Sequence, residues 1–455
     1  MTAAQDTART VPGGRTAALD SEPSVNLPLN PIDEVFLAMD GEQTLVQGQF
    51  LRFHGKAPSL DQLHDHLAER LPRLPRLTHR PVTDRRGAFR VPSSGFDLRD
   101  HVRLMRLPAG TELDDVLTAL VRRPLGDNGP LWSIDLVHGY APGEYAVCYR
   151  VHHCLEDGLG AAHVATVLFG DTPHPGRTPA SGEREGRRRG PLFTAGPGEL
   201  LHGVASVGRG MVRGLLPGRL WPRAQCPAPE NLAMCSTSAT RRELVKLGRE
   251  FGGTVNDAFL MALWGALAAW STTDDGCHDV RSVFRASPVP VRMPLSTRHI
   301  GEEDAVGNHL TTVVVTLPRR ELPPAQAFAQ LVDSTQRMRR NGLRPASRAL
   351  LALLPGGLIR WTVKRLLSPR ASPLYASNYS LPTSLSFRGD PVVDAIPLGV
   401  LLPGNALSVT LLSCGSRVQV SFLYDRRLPG AQRLAALWRK TLDDELHALG
   451  ALPAV

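Results

Sequence analysis

The sequence lacks long apolar runs and paired cysteine motifs. No stretch of about 18 uncharged apolar residues occurs, so no membrane-spanning helix is expected. The first residues, about 25 in number, contain no apolar run of the kind that a secretory signal peptide needs. The six cysteines form no C-x-x-C pair and have no zinc-finger spacing with histidine, which argues against a structural zinc site. We therefore predict a cytoplasmic protein with reduced thiols and no bound metal or resident cofactor.

Lysine is also scarce, because 48 of the 52 basic residues are arginine. With 43 acidic residues the net charge is +9, which indicates an anionic partner such as nucleic acid, a membrane surface or a phosphorylated cofactor. A GC-rich coding bias explains the arginine excess equally well and needs no partner. Nucleic acid is not expected, since the arginines are dispersed and no recognition motif is present.

The length of 455 residues predicts two domains or one large one. Hydrophobic residues make up 42% of the chain and charged residues 21%, which is typical of globular proteins. We expect a disordered tail over 1–28, a first half over 29–172 and a second half over 234–455. The intervening segment, 173–233, is dense in Pro, Gly, Arg and Ser and is interpreted as a crossover linker.

Local patterns predict where helices and strands lie. Ser59, Thr240 and Thr254 each begin a capping box, in which a residue three positions later reaches back to the helix start. Alternating and helical periodicities add further elements. They predict strands at 47–53, 132–138, 145–153, 283–292 and 311–317, helices at 112–123, 159–169, 324–340 and 431–449, and a hairpin that turns at Cys414-Gly415-Ser416.

The chemically most distinctive stretch contains His152, His153, Asp157 and Gly158, where a predicted strand ends and a helix begins. Side chains alternate across a strand, so the two histidines point to opposite sides and are poor partners for one metal ion. A neutral imidazole at a strand end is suited to act as a general base for an alcohol or thiol. Two structural histidines are the alternative that these residues alone leave open.

The histidine stretch resembles the HHxxxDG motif of CoA-dependent acyltransferases, and the wider chain resembles bacterial wax ester synthase/diacylglycerol acyltransferases. The resemblance extends from Asn30 to the C-terminal helix. Several separated motifs in the same order make it specific. They are Asn30-Pro31-Ile32-Asp33, Gly129-Pro130-Leu131-Trp132, Thr254-Val255-Asn256-Asp257, Pro288-Val289-Pro290-Val291-Arg292 and Gly307-Asn308.

This resemblance implies an α/β (α+β) fold of two chloramphenicol-acetyltransferase-like halves around a central tunnel. It implies that His153 is the catalytic base, that His152 and Gly158 support the site, and that Asp157 is architectural. It also implies an ion pair between Asp157 and Arg292. The acyl group would come from acyl-CoA or an acyl carrier protein as co-substrate.

Further residues are expected along the tunnel. Asp257 fits a capping role better than a catalytic one, whereas Asn256 is placed to turn its amide toward the tunnel. Ser377 and Asn378 correspond to the polar pair of the family's SNVPG segment, but here the chain continues as Tyr379-Ser380-Leu381-Pro382. Trp132 of the PLW motif is the last predicted lining residue. The altered segment leaves the shape of the tunnel and the acceptor open.

We therefore predict an O-acyltransferase that transfers an acyl group from acyl-CoA to a long-chain alcohol or a diacylglycerol-like acceptor. One alternative is a condensation-type enzyme of specialised metabolism, with a carrier-protein donor or an amine acceptor. A catalytically silent lipid-binding or scaffold protein is the alternative of another class. The basic stretches 200–223 and 348–365 would suit peripheral contact with the inner face of a membrane, or solvated arginine tips on core helices.

Overall fold

The computed structural model describes residues 27–39, 45–85, 87–126, 129–170, 228–272, 288–299, 301–302, 304–340, 343–370 and 372–451, with isolated positions between 198 and 212. The strands are β1 (Leu27–Pro28), β2 (Val46–His54), β3 (His79–Asp84), β4 (Gly87–Pro92), β5 (Val102–Arg106), β6 (Trp132–His138), β7 (Glu144–His152), β8 (Leu232–Thr240), β9 (Pro290–Ser296), β10 (Leu310–Thr316), β11 (Leu374–Leu381), β12 (Ser386–Phe387), β13 (Asp390–Leu398), β14 (Leu407–Cys414) and β15 (Arg417–Asp425). The helices are α1 (Pro31–Met39), α2 (Leu60–Arg70), α3 (Leu98–His101), α4 (Leu113–Arg122), α5 (Gly158–Phe169), α6 (Arg241–Glu250), α7 (Val255–Ser271), α8 (Pro324–Arg340), α9 (Leu343–Leu353), α10 (Gly356–Leu366) and α11 (Leu434–Ala451).

Two six-stranded sheets organise the molecule, and a three-stranded sheet lies beside them. The N-terminal sheet has the order β12-β13-β2-β7-β6-β5, and the C-terminal sheet has the order β10-β9-β11-β14-β15-β8. Each large sheet has its own hydrophobic core, and helices cover it. Within the part of the chain that is described, no helix is both long enough and apolar enough to cross a bilayer.

The N-terminal sheet is completed by a strand from the C-terminal part of the chain. β13 pairs antiparallel with β2, and Leu398 lies opposite Gly48. A side chain at Gly48 would meet the backbone carbonyl of Tyr149 at 2.2 Å on the other neighbouring strand, β7, so only glycine fits this close approach. Because β13 belongs to the C-terminal part of the chain, its backbone hydrogen bonds to β2 connect the two halves through one continuous sheet.

The predicted helix starts are confirmed, and local hydrogen bonds explain them. Ser59, Thr240 and Thr254 each form the predicted capping box at the start of α2, α6 and α7. Asp257 accepts hydrogen bonds from both the backbone N–H and the hydroxyl of Thr254, at 2.7 and 2.8 Å, so its predicted capping role is confirmed. Twelve of the 17 residues of α7 are buried, as expected for a helix that is largely apolar on all sides.

The predicted strands and the hairpin are found close to their expected bounds. β14 and β15 pair antiparallel around Gly415, whose φ of 61° lies in the left-handed region that favours glycine. The first part of the strand expected at 283–292 lies outside the described residues, and β9 begins at Pro290. Most of the expected tail and crossover linker also lies outside them. Leu27 and Pro28, at the end of that expected tail, are already paired with β4.

Candidate active site

A cavity of about 330 Å³ lies between the two halves. Side chains from both sheets and from helices α5, α7, α8 and α9 form its wall. The predicted site residues in this wall are His153, Asp157, Gly158, Asn256, Ser377 and Asn378. The two halves therefore contribute to one site, because neither set of side chains encloses the cavity by itself.

His153 follows the last residue of β7 and is a buried part of the wall of this cavity. Its ring stacks on Phe36 of α1, with the centroids 4.1 Å apart and the planes 18° from parallel. Burial lowers the pKa of His153 to about 4, because the imidazolium would lose its hydration. The imidazole is therefore neutral near pH 7, which is the form that can accept a proton.

His152 does not share this cavity. Its side chain is 2% exposed, and Nδ1 accepts a hydrogen bond from the backbone N–H of Cys154 at 3.0 Å. That bond shapes the turn that places His153 beside the cavity. The two imidazoles thus diverge, as the alternation along a strand requires.

Asp157 closes the turn and begins α5. One carboxylate oxygen caps the helix by accepting from the N–H of Gly160 at 2.9 Å, and the other accepts from the N–H of His309 at 3.0 Å. Arg298 forms an ion pair with the same carboxylate at 2.5 Å. Burial alone would raise the pKa of Asp157, but the Arg298 charge and these hydrogen bonds hold it below its ordinary value. The carboxylate is thus fully engaged in holding the fold.

The expected ion pair between Asp157 and Arg292 is corrected, because Arg298 occupies that position. Arg292 lies in β9 opposite Tyr375, and its guanidinium donates to the carbonyl oxygen of Ser368 at 2.5 Å. Arg298 follows the end of β9, where the chain turns back toward α5. Arg298 lies just after the strand and Arg292 lies within it. This difference in position does not indicate, from the sequence alone, which arginine pairs with Asp157.

A buried polar network holds the backbone of His153. The side-chain amide of Asn308 donates to the His153 carbonyl at 2.6 Å and to the Asp33 carboxylate at 2.8 Å. Arg90 also donates to Asp33, at 2.9 Å. Burial raises the pKa of Asp33 to about 6, although Arg90 and Asn308 oppose the shift. This network joins α1, β4 and the C-terminal half at the position of the imidazole.

Gly307 is the residue that lets this network form. Its φ is 90°, and a Cβ there would lie 2.6 Å from the Asp33 carboxylate. Any other residue would therefore be strained and would push Asp33 away. Asp33, Gly307 and Asn308 occur in motifs of the resemblance, but sequence reasoning gave them no role.

Family models match most of the described chain. The model of the wax ester synthase/diacylglycerol acyltransferase catalytic domain matches residues 29–259, and that of the C-terminal domain matches residues 306–444. The chain belongs to this family. The predicted family and the predicted activity, O-acyl transfer by an acyltransferase, are thereby confirmed, and the alternatives are not favoured.

Individual relatives agree with this assignment. The chain is 25% identical over 434 residues to a Mycobacterium tuberculosis protein named probable diacylglycerol O-acyltransferase tgs1, covering 87% of this chain and 90% of that one. Among solved structures, the wax ester synthase/diacylglycerol acyltransferase of Marinobacter aquaeolei VT8 matches with a TM-score of 0.62 and 19% identity, over 93% of this chain and all (100%) of that chain. The starter condensation domain of rhizomide synthetase RzmA, solved as a mutant with C8-CoA and Leu-SNAC, matches with a TM-score of 0.59 and 14% identity, over 93% and 94%. The predicted two-lobed fold is confirmed.

The family motifs now have positions in this wax ester synthase/diacylglycerol acyltransferase fold. Asn378 donates its amide to the side-chain oxygen of Asn256 at 2.7 Å, which joins β11 to the first turn of α7 at the cavity wall. Tyr379, where the family has valine, also lines the cavity, and its ring lies 3.4 Å from where a Cβ of Gly158 would be. The altered segment therefore adds an aromatic wall beside the turn of His153.

Trp132 does not line the cavity, which corrects that expectation. Its indole N–H donates to the carbonyl oxygen of Leu77 at 2.6 Å, and its ring stacks on His101 at 4.6 Å. Trp132 is 2% exposed and belongs to the core of the N-terminal half. The PLW motif therefore packs against the sheet that contains β7.

Among the described residues, no three His, Cys, Asp or Glu side chains are grouped to hold a metal ion.

Proposed function

We propose that His153 is the catalytic base of this acyltransferase and that acyl-CoA is its acyl donor. The observation that carries the proposal is the neutral, buried imidazole in the wall of a cavity formed by both halves. Nδ1 of His153 is buried and has no hydrogen-bond partner among the described residues. Because Nδ1 is buried, we assign Nε2 as the nitrogen that faces the reacting groups.

The chemistry follows from that placement. An acceptor alcohol gives its proton to Nε2 as its oxygen attacks the thioester carbonyl. The tetrahedral oxyanion that forms needs hydrogen-bond donors, and the amides of Asn256 and Asn378 are the donors that we assign to the cavity wall. When the carbon–sulfur bond breaks, the imidazolium returns the proton to the leaving CoA thiolate. The products are an ester and free CoA.

Asp157 and Asn308 act as positioning residues in this proposal. Both carboxylate oxygens of Asp157 already accept hydrogen bonds, from Gly160, His309 and Arg298, which suits a structural role better than proton transfer. Asn308 holds the His153 backbone, and Phe36 holds the ring. His152 and Gly158 shape the turn between them.

The test is acyl transfer by His153→Ala, with long-chain acyl-CoA and an alcohol or a diacylglycerol as acceptor. We expect kcat to fall by about 10²–10⁴-fold, which is the usual contribution of a general base. His54→Ala, which removes an exposed histidine at the end of β2, is the matched control and should retain the activity of the parent. Equal rates for His153→Ala and the parent would refute the proposal. A mass-spectrometric screen of alcohols, diacylglycerol and amines identifies the acceptor.

We also propose that α9 and α10 contact the surface of a membrane. Leu353, Leu358 and Trp361 are 65%, 44% and 43% exposed, and the guanidinium of Arg365 lies over the Trp361 ring at 5.6 Å. Exposed apolar side chains beside basic ones suit an anionic lipid surface. Trp361→Ser should reduce co-sedimentation with phosphatidylglycerol vesicles, whereas Leu104→Ser, an exposed leucine of β5, should not. Equal sedimentation of both variants and the parent would exclude this surface.

A further inference from the structure

The cavity wall contains both buried and exposed residues. His153 is 3% exposed, whereas Arg339 and Arg344 in the same wall are exposed, so these two arginines mark where the cavity opens to solvent. Arg339 is the last residue but one of α8, and Arg344 lies in the first turn of α9, so the end of α8 and the start of α9 contribute to the rim. We define Arg339 and Arg344 as the arginine rim.

The negative charges near this opening are already engaged. Asp157 is the carboxylate among the wall residues, and Arg298 neutralises it. Asp257 lies 3.4 Å from Arg339, but its oxygens also accept from Thr254 and Thr335. No described carboxylate forms an ion pair with Arg344. The rim therefore presents net positive charge to a molecule that enters the cavity.

We propose that the arginine rim binds the phosphate groups of the acyl donor. This inference rests on the proposed function, because it takes the thioester to be at His153. In acyl-CoA the thioester and the phosphates lie at opposite ends of the pantetheine arm. A thioester beside the buried His153 directs the arm toward the solvent-exposed part of the wall, where the phosphates meet the two guanidinium groups. Arginine suits this task because its planar group donates paired hydrogen bonds to phosphate oxygens.

The same helix provides a matched control. Arg337 is also an arginine and lies two residues before Arg339, but it is not part of the cavity wall. It forms an exposed ion pair with Asp333 at 2.6 Å. Replacing Arg337 removes the same charge from the same helix without touching the opening.

The test compares Arg344→Gln, Arg339→Gln, the double variant and Arg337→Gln with three donors of one acyl chain. The donors are acyl-CoA, acyl-dephospho-CoA and the uncharged acyl-N-acetylcysteamine thioester. We expect the KM for acyl-CoA to rise about tenfold in the double variant, with kcat nearly unchanged, since a charge-assisted phosphate contact contributes about a factor of ten or more. The KM for the uncharged thioester should stay at the parent value, and Arg337→Gln should match the parent throughout.

Salt provides a second measurement. The KM of the parent for acyl-CoA should rise with ionic strength, because salt screens exposed charges, and the double variant should lose most of that dependence. An unchanged KM for acyl-CoA in the double variant overturns the inference, as does an equal rise for the uncharged thioester. If the parent transfers an acyl group from none of the donors, the proposed function fails instead, so the two failures are distinguishable.

Discussion

The side chains of Arg292 in the middle of β9 and of Arg298 just beyond its end are both buried, but their surroundings differ. Arg298 donates to the Asp157 carboxylate at 2.5 Å and to the carbonyls of Ala305 and Gly307 at 3.1 and 2.9 Å. Arg292 donates to one carbonyl, that of Ser368, and its Nε and Nη1 have no partner among the described residues. Burial lowers the pKa of Arg292 to about 10.

The difference shows which of the two arginines joins the halves. Arg298 belongs to the C-terminal half and holds the carboxylate that caps α5 of the N-terminal half. A buried ion pair contributes little net stability when intact, but loss of one partner leaves a charge that has neither water nor counter-charge. Replacement by an apolar side chain of similar length should therefore lower the free energy of unfolding much more at Arg298 than at Arg292.

Arg298→Met should have the largest effect. Asp157 would keep its burial and lose its counter-charge, so the free energy of unfolding should fall by about 3–5 kcal/mol. Acyl transfer should fall as well, because the turn that places His153 loses its anchor. Urea unfolding followed by circular dichroism measures the first effect, and kcat with saturating substrates measures the second. Retention of parental stability would mean that Asp157 finds another partner.

Arg292→Met is the matched comparison and should have a smaller effect of either sign. Removing a buried cation that lacks a carboxylate relieves a desolvation cost, so we expect a change within about 1 kcal/mol, or a gain in stability. The same urea experiment measures it. A loss as large as that of Arg298→Met would show that Arg292 has a counter-charge which the described residues do not supply.

This pair of arginines also marks the limit of prediction from the sequence. Capping boxes and the strand ending at His153 follow from neighbouring residues, and the structure has them where the pattern places them. The partner of Asp157 depends on how far the chain travels after β9 before it turns, and no local pattern encodes that path. Similarity selected Arg292, which lies on the strand itself.

Pairing between strands that are far apart in the sequence is also not predicted by local patterns. β13 belongs to the C-terminal part of the chain, but it pairs with β2 of the N-terminal sheet. Apolar and polar residues alternate only weakly along β13. Its first residues are partly exposed and its last residues are all buried, so neither part has the one-sided pattern of a half-buried strand. The motif predicts that Trp132 lines the cavity, but Trp132 lies on a strand face that packs against the core of the N-terminal half. Tertiary placement decides such positions.

The smallest expected effect of replacing Arg292 is on the pH dependence of acyl transfer. The base acts in its neutral form, so kcat/KM should fall as the pH drops through the pKa of His153, which burial places at about 4 instead of the ordinary value of about 6.5. The same shift makes the folded state less stable as the pH falls from about 6.5 toward 4, because the unfolded chain takes up the proton first. Circular dichroism at each pH separates loss of fold from loss of the base. Arg292→Met should keep the acid limb of the parent, since Arg292 contacts neither His153 nor Asp157. An acid limb near pH 6.5 in the folded parent would mean that the cavity hydrates His153 and that burial does not set its pKa.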